Sequence, residues 1–461
     1  ACREAANDES AATLKRLHAI FMKFAAPATA AACHWALERA SCERGAVPRH
    51  LPGPALIHRH ELPLLLTGLL STLCGVGLSR MAFTALMPAL VQAHWFSADQ
   101  AAYLGAATLL GYLVGALGAH WLTERWSVPR VLLGSFIAVT LSFALSALPQ
   151  PFVTFFAWRC LAGIAAAVLM VVGPSAAMAA LPPARRAVLG PVLFAGVGVG
   201  ALLSATLIPA LVRLDLPWTW AALALVSALC GFWGWRASRQ IPAAAAQLVR
   251  LQPAAPAAPL TPPTTGRLWL LPVLWLMAAY ACDAAGFVPH TVFWVDYLAR
   301  ERELGTAFGA LQWGLFGLGA LLGPIATAAC AARWDWHRAV VGGMALKTAA
   351  VCIPVALPWL LLSGPAPLLQ LVAYGVSSFI VGALSPGIAA LTSGRLLQLV
   401  GPLAHKRVWG YATAVFATAQ ALSGTGMAWL YAQSHIYQPL FALAAGLLAL
   451  GTLLAWASGR R

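Results

Sequence analysis

From Leu62 to Val91 the chain runs apolar, and only Arg80 interrupts that run with a charge. Eleven comparable runs follow, over 98–122, 129–148, 151–181, 187–212, 217–237, 268–298, 304–331, 337–361, 367–395, 407–432 and 436–458. A bilayer core about 30 Å thick takes about 20 apolar residues to cross as a helix. The pattern therefore predicts an all-α membrane protein whose twelve transmembrane helices form two six-helix bundles.

Two stretches break the pattern. Residues 1–60 are basic and Ala-rich, with Pro and His but no run long enough to span, and read as a poorly ordered extension of little function. Its Cys33, His34, Cys42, His50, His58 and His60 match no metal-ligand spacing, and it lacks the h-region and cleavage site of a secretory signal. The second stretch, 240–267, is rich in Pro and Ala and reads as a flexible to semi-extended linker. It separates an N-terminal bundle, 61–239, from a C-terminal bundle, 268–461.

The two halves repeat each other. "LGAATLLGYLVGALGA" from 104 lies over "FGALQWGLFGLGALLG" from 308, pairing Gly105 with Gly309 and Gly115 with Gly319. With small loop differences Gly163 and Pro174 fall over Gly375 and Pro386, and Gly190 over Gly410. Small residues at matching places mark close helix contacts. Two halves of the same sense are the parallel repeat of a secondary transporter, with its site near the midplane between them.

Composition and charge sharpen this picture. Hydrophobic residues make up 61% of the chain and charged residues 9%, with a mean hydropathy of +0.78, against about 25% charged residues in a soluble domain. The net charge of +15 does not point to nucleic acid, because the basic residues fall in every second loop: Arg125 and Arg130, Arg185 and Arg186, Arg236 to Arg267, Arg333 and Arg338, then Arg395, Lys406 and Arg407. The positive-inside rule puts those loops and both termini in the cytoplasm. Trp95, Trp121, Trp126, Trp218, Trp220, Trp334, Trp336, Trp359 and Trp409 lie near predicted helix ends, as an aromatic belt would require. The nine cysteines are scattered without a C-x-x-C pair, so neither a disulfide framework nor a thiolate metal site is indicated.

On these residues the chain resembles the major facilitator superfamily and, in detail, its YbfB/YjiJ branch, over about residues 62–458. The resemblance is carried by "GVGLSRMAFTALMPAL", "AAYLGAATLLGYLVGAL", "WRCLAGIAAAVLMV", "FAGVGVGALLSATLIPAL" and "GFVPHTVFWVDYLARE". The loop "GAHWLTERWSVPR" departs from the superfamily's G-x-x-x-D-R-x-G-R, with Glu124 and Arg125 where acid and base would stand and no following glycine. The resemblance implies a twelve-helix transporter of undefined substrate, with helices 1, 4, 7 and 10 around a central cavity.

Four ionisable side chains fall well inside the runs: Arg80, Arg159, Asp283 and Lys347. A mid-bilayer charge costs about 2.5 to 3.5 kcal/mol on insertion scales, so each needs a partner or a water-filled cavity. The repeat sets Asp283 beside Arg80 in depth, and the two are expected to meet across the halves, either handling cargo or latching them. Gly77, Arg80, Thr84 and Met87 share one helix face, as do Tyr280, Asp283, Phe287, His290 and Trp294. Candidate substrate-binding residues are Arg80, Thr84, Arg159, Phe287, His290, Gln312 and Gln420, and Asp283 is the candidate proton-coupling group. Arg159 has a second reading, snorkelling outward near the end of its run, and Lys347 is expected to snorkel from a peripheral helix. Gln312, Ser377, Ser378 and Gln420 are neutral polar candidates that for the most part also read as hydrogen-bonding glue between helices, and His290 has a second reading as a satisfied packing residue.

The Gly-rich "AGVGVGALL" follows no strand and has no Lys, and no Walker sequence is present, so ATP-driven transport is not encoded in this chain. No nucleophile, base and metal ligands gather at one depth, so no enzyme is expected, and no cofactor. These features describe a secondary transporter of the bacterial inner membrane, working as a monomer by alternating access on a small organic anion coupled to protons. Proton-driven efflux of amphipathic drugs or metabolites is the alternative.

Overall fold

The computed structural model describes residues 58–181, 183–251, 271–360 and 367–459. The extension up to residue 57, with Cys33, His34, Cys42 and His50, lies outside them, as do linker residues 252–267. Among the described residues the elements are helices, with no strand. The spans are numbered along the chain. Span 1 is Leu62–Gln92, span 2 Ala98–Arg125, span 3 Val128–Ser146, span 4 Phe152–Ala180, span 5 Pro183–Val212 and span 6 Leu216–Ser238. Span 7 is assembled from Leu271–Gly286, Val288–Val292, Trp294–Asp296 and Tyr297–Glu301. Span 8 is Gly305–Trp334, span 9 Trp336–Leu360, span 10 Pro367–Gly401, span 11 residues 402–434 and span 12 Gln438–Ala457.

Helix ends follow local chemistry. Ser97 caps span 2 and closes a capping box with Gln100, and the Asp215 carboxylate accepts from the Leu216 N–H at the start of span 6. Gly401, at φ +75°, turns span 10 into span 11.

Spans 1 and 7 are irregular at mid-depth. Leu73–Leu78 is π-helical, with the Ser79 N–H donating to the Cys74 carbonyl at 3.3 Å, and the α-helix resumes at Met81. The wider turn rotates the second half of span 1 relative to the first and leaves Ser79 and Arg80 at the junction, a common mark of a functional site. Span 7 breaks near Phe287 and Phe293 and ends in a second π turn, Tyr297–Glu301.

The internal repeat reappears as packing. A Cβ on Gly115 would lie 2.2 Å from the Ile164 carbonyl oxygen, and one on Gly319 would lie 2.2 Å from that of Phe379. Spans 2 and 4, and likewise 8 and 10, thus approach backbone to backbone. The sequence pairing of Gly163 with Gly375 does not hold in the packing. Gly163 abuts the Thr108 carbonyl, and its counterpart is Gly382 against the Phe316 carbonyl, whereas Gly375 faces the side chains of Leu315 and Gln312.

The linker begins as a helix rather than as flexible chain. Ile241–Leu251 packs Ile241 and Ala244 onto Leu64, Leu65, Met178, Leu181 and Leu193 at the basic end of the first half. Nearby, Arg185 of span 5 grips Glu61 ahead of span 1, Nε to Oε1 and Nη2 to Oε2, both at 2.7 Å.

The halves join unevenly. One buried cluster contains Met81, Met87, Ala102 and Leu109 of the first half together with Val292, Trp294, Met427 and Phe441 of the second. It occupies the middle and the end away from the basic loops. At the basic end the buried clusters each belong to one half, Leu64 to Ala244 in the first and Val273 to Ala455 in the second.

Candidate functional site

Where span 1 resumes its α-helix, Arg80 reaches across to the second half and is only 8% exposed. Its Nη1 donates to Gln420 Oε1 of span 11 at 3.0 Å, and its Nη2 donates to Thr291 Oγ1 of span 7 at 2.7 Å. The guanidinium carbon stands 5.3 Å from the centroid of the Phe287 ring. One turn on, the Thr84 hydroxyl donates to the Thr291 carbonyl. Of the candidate residues, the structure thus brings Arg80, Thr84, Phe287 and Gln420 together. Thr291 was missed, although it follows Phe287 by four residues and so shares its face.

Arg80 does not meet Asp283. The Asp283 carboxylate accepts from Lys347 of span 9 at 2.7 Å, with both side chains buried. This corrects two expectations, since Lys347 points inward rather than snorkelling. Its stem follows the interior of the second half, and its Nζ lies 4.7 Å from the centroid of the same Phe287 ring. Phe287 thus stands next to both cations, on Arg80 and on Lys347. Matching depth in the repeat does not specify azimuth, and the local chain breaks in spans 1 and 7 change it.

Arg159 is fully buried and does not snorkel. Its Nη2 donates to the Ser79 carbonyl at 2.6 Å and to Thr108 Oγ1 at 2.9 Å, with its guanidinium 4.6 Å from the Phe83 centroid. It braces the break in span 1 from inside the first half, one residue from Arg80. Among the described residues no carboxylate forms an ion pair with either arginine.

His290 and Gln312 form a separate polar cluster in the second half. His290 Nε2 and Ser377 Oγ lie 2.9 Å apart, Ser377 donates to the Ala350 carbonyl, and the imidazole stacks on Trp294 with centroids 4.3 Å apart. Trp294 donates to Ser378, and Ser378 to Gln312. Several buried polar atoms of both clusters lack a protein partner: Nε of Arg80, Nε and Nη1 of Arg159, Nε2 of Gln420, Oδ2 of Asp283 and Nδ1 of His290. Buried polar groups are seldom left unsatisfied unless ligand or water meets them.

Three comparisons bear on this arrangement. The family model described as "Uncharacterised MFS-type transporter YbfB" matches residues 72–456. No curated protein matches the sequence. Among solved structures the fold is similar to a D-xylose–proton symporter, at 16% identity and a TM-score of 0.63 over 86% of this chain and 96% of that one. It is also similar to a mutant of the nucleoside transporter NupG, at 14% identity and 0.63 over 87% and 100%. A bacterial homologue of the iron transporter ferroportin, in its outward-facing state, matches at 14% identity and 0.57 over 88% and 100%. At such identities the likeness establishes the all-α fold alone. Twelve spans in two repeated halves, buried charges at their meeting point and a family match across most of the chain lead to one assignment: the protein belongs to the YbfB-like family of MFS-type transporters.

Proposed function

We propose that this transporter is a secondary carrier that moves a small organic anion by alternating access and couples it to protons. The observation that carries the reading is the pair of buried guanidiniums, Arg80 and Arg159, for which no described carboxylate is an ion partner. Asp283 and Lys347 cancel each other, so the arginines leave the centre cationic. An arriving carboxylate would offset the cost of those charges, and the planar guanidinium of Arg80 suits it. Gln420 and Thr291 hold that guanidinium from the second half, so an anion competing for it acts on the contact between halves.

Asp283 is the proposed proton site, paired with Lys347 rather than with Arg80. Protonating Asp283 would free the Lys347 charge 4.7 Å from the Phe287 ring that Arg80 also contacts. Such a change gives the two sites a physical route for linkage. Efflux of amphipathic cations has less support, because the acid that would receive them is already met by a lysine. The carrier is proposed to sit as a monomer in a bacterial inner membrane with the basic loops and both termini cytoplasmic.

The test is uptake into proteoliposomes of small carboxylates and of lipophilic cations, with and without an imposed pH gradient. Carboxylate uptake driven by the gradient is expected, with Asp283→Asn retaining exchange but losing the response to the gradient. Uptake of the cations and not of the carboxylates would overturn the reading.

A further inference from the structure

The surroundings of Arg80 narrow the substrate class. A row of aromatic rings leads away from it towards the basic end. Phe287 lies 5.9 Å from Phe416, Phe416 lies 4.6 Å from Tyr280, and Tyr280 lies 5.9 Å from Trp409, centroid to centroid. Each ring is inclined to the next by a moderate angle, 35°, 34° and 29° along the row. Phe287 and Tyr280 are buried, whereas Phe416 and Trp409 are only partly so. Exposure alternates along the row, from partly buried Trp409 at the basic end, where the halves share no buried apolar cluster, through buried Tyr280 and partly buried Phe416 to buried Phe287 beside the cation.

We propose that the Arg80 site takes a planar aromatic monocarboxylate, its carboxylate on Arg80 and its ring against Phe287 and Phe416. The proposal rests on the anion reading given above and adds the body of the molecule to its charge. Ligand sites orient a molecule by a few polar groups and hold it by apolar surface, and this one has Arg80, Gln420 and Thr291 at the head of an aromatic row. A polyol would need many more hydrogen-bonding partners than these. A dicarboxylate would need a second available cation, yet Lys347 is held by Asp283 and Arg159 is turned into the first half against Phe83.

The experiment measures binding to the full-length protein in nanodiscs. Its probes are benzoate, cyclohexanecarboxylate, succinate and benzylamine. The first two share charge and approximate size and differ in planarity and π character. Benzoate is expected to bind about fivefold more tightly than cyclohexanecarboxylate, the scale of one aromatic contact beyond its burial, and more tightly still than succinate. Phe416→Leu, which keeps apolar bulk at a partly exposed position, is expected to bring the benzoate to cyclohexanecarboxylate ratio close to one, with the melting temperature as a folding control. If that variant does not fold, the wild-type ratio still decides. If cyclohexanecarboxylate or succinate binds as well as benzoate, and Arg80→Lys weakens them all, the aromatic proposal falls and the anion reading stands. If benzylamine binds and no carboxylate does, or if no probe binds, both fall.

Discussion

Arg80 and Lys347 are both buried cations, yet their surroundings assign them different tests. Arg80 uses two of its nitrogens on neutral oxygens, those of Gln420 and Thr291. Arg80→Lys keeps the charge but loses the planar fork, and transport affinity for a carboxylate is expected to fall at least about tenfold with folding intact. Uptake titrations beside a melting curve check this. Lys347→Met strands the Asp283 carboxylate in the interior and is expected to cost about 3 to 5 kcal/mol. Adding Asp283→Asn should recover most of that loss, because no uncompensated charge then remains, and a double-mutant cycle on thermal stability measures the coupling. The sequence placed both cations inside the membrane and put Arg80 among the binding candidates. It misassigned the partner of Asp283, because a four-carbon stem on span 9 can reach a neighbouring span in ways that spacing along span 7 does not encode.

At the level of the element, two of the points where span 1 and the residue ahead of it meet span 5 lend themselves to test. A Cβ on Gly200 would sit 2.3 Å from the Gly77 Cα, within the π-helical turn that precedes Arg80. Gly200→Val is expected to push the spans apart, lower the melting temperature and weaken substrate binding, although the residue touches no substrate. The other point is the Glu61–Arg185 pair. Burial pushes the Glu61 carboxyl up, but the hydrogen bonds from Arg185 and the His58 N–H outweigh it and hold the carboxyl below its usual value of 4.5. A depressed carboxyl contributes stability that is present above that value and lost as pH falls through the folded one. The melting temperature of the wild type should therefore decline below about pH 4.5, and Glu61→Gln should be lower at neutral pH and flatter across that range. Apolar length and charge placement made the helices legible as elements. The π turn and the helical start of the linker were not legible, because both depend on what the backbone packs against, as with Ala244 on Leu64 and Leu193.

For the whole molecule, the closed end carries a polar contact between the halves, with His435 Nδ1 and Asp99 Oδ1 3.3 Å apart. Cysteines replacing Asp99 and His435 are expected to cross-link readily and to block uptake until a reductant is added, since alternating access requires this end to part. A variant that cross-links and still transports at the wild-type rate would show that the two halves do not separate there. The sequence by itself determined the class, the number of spans, the repeated halves and the presence of charge at mid-depth, because apolar length, loop charge and small-residue spacing are local properties. Only the tertiary structure decided that Lys347 takes Asp283, that Arg80 faces Gln420 and Thr291, and that an aromatic row from Phe287 to Trp409 leads up to it. Those outcomes depend on azimuth between helices. Azimuth is set by the π turn, the breaks in span 7 and the backbone contacts of glycines on other spans, and no single helix carries that information.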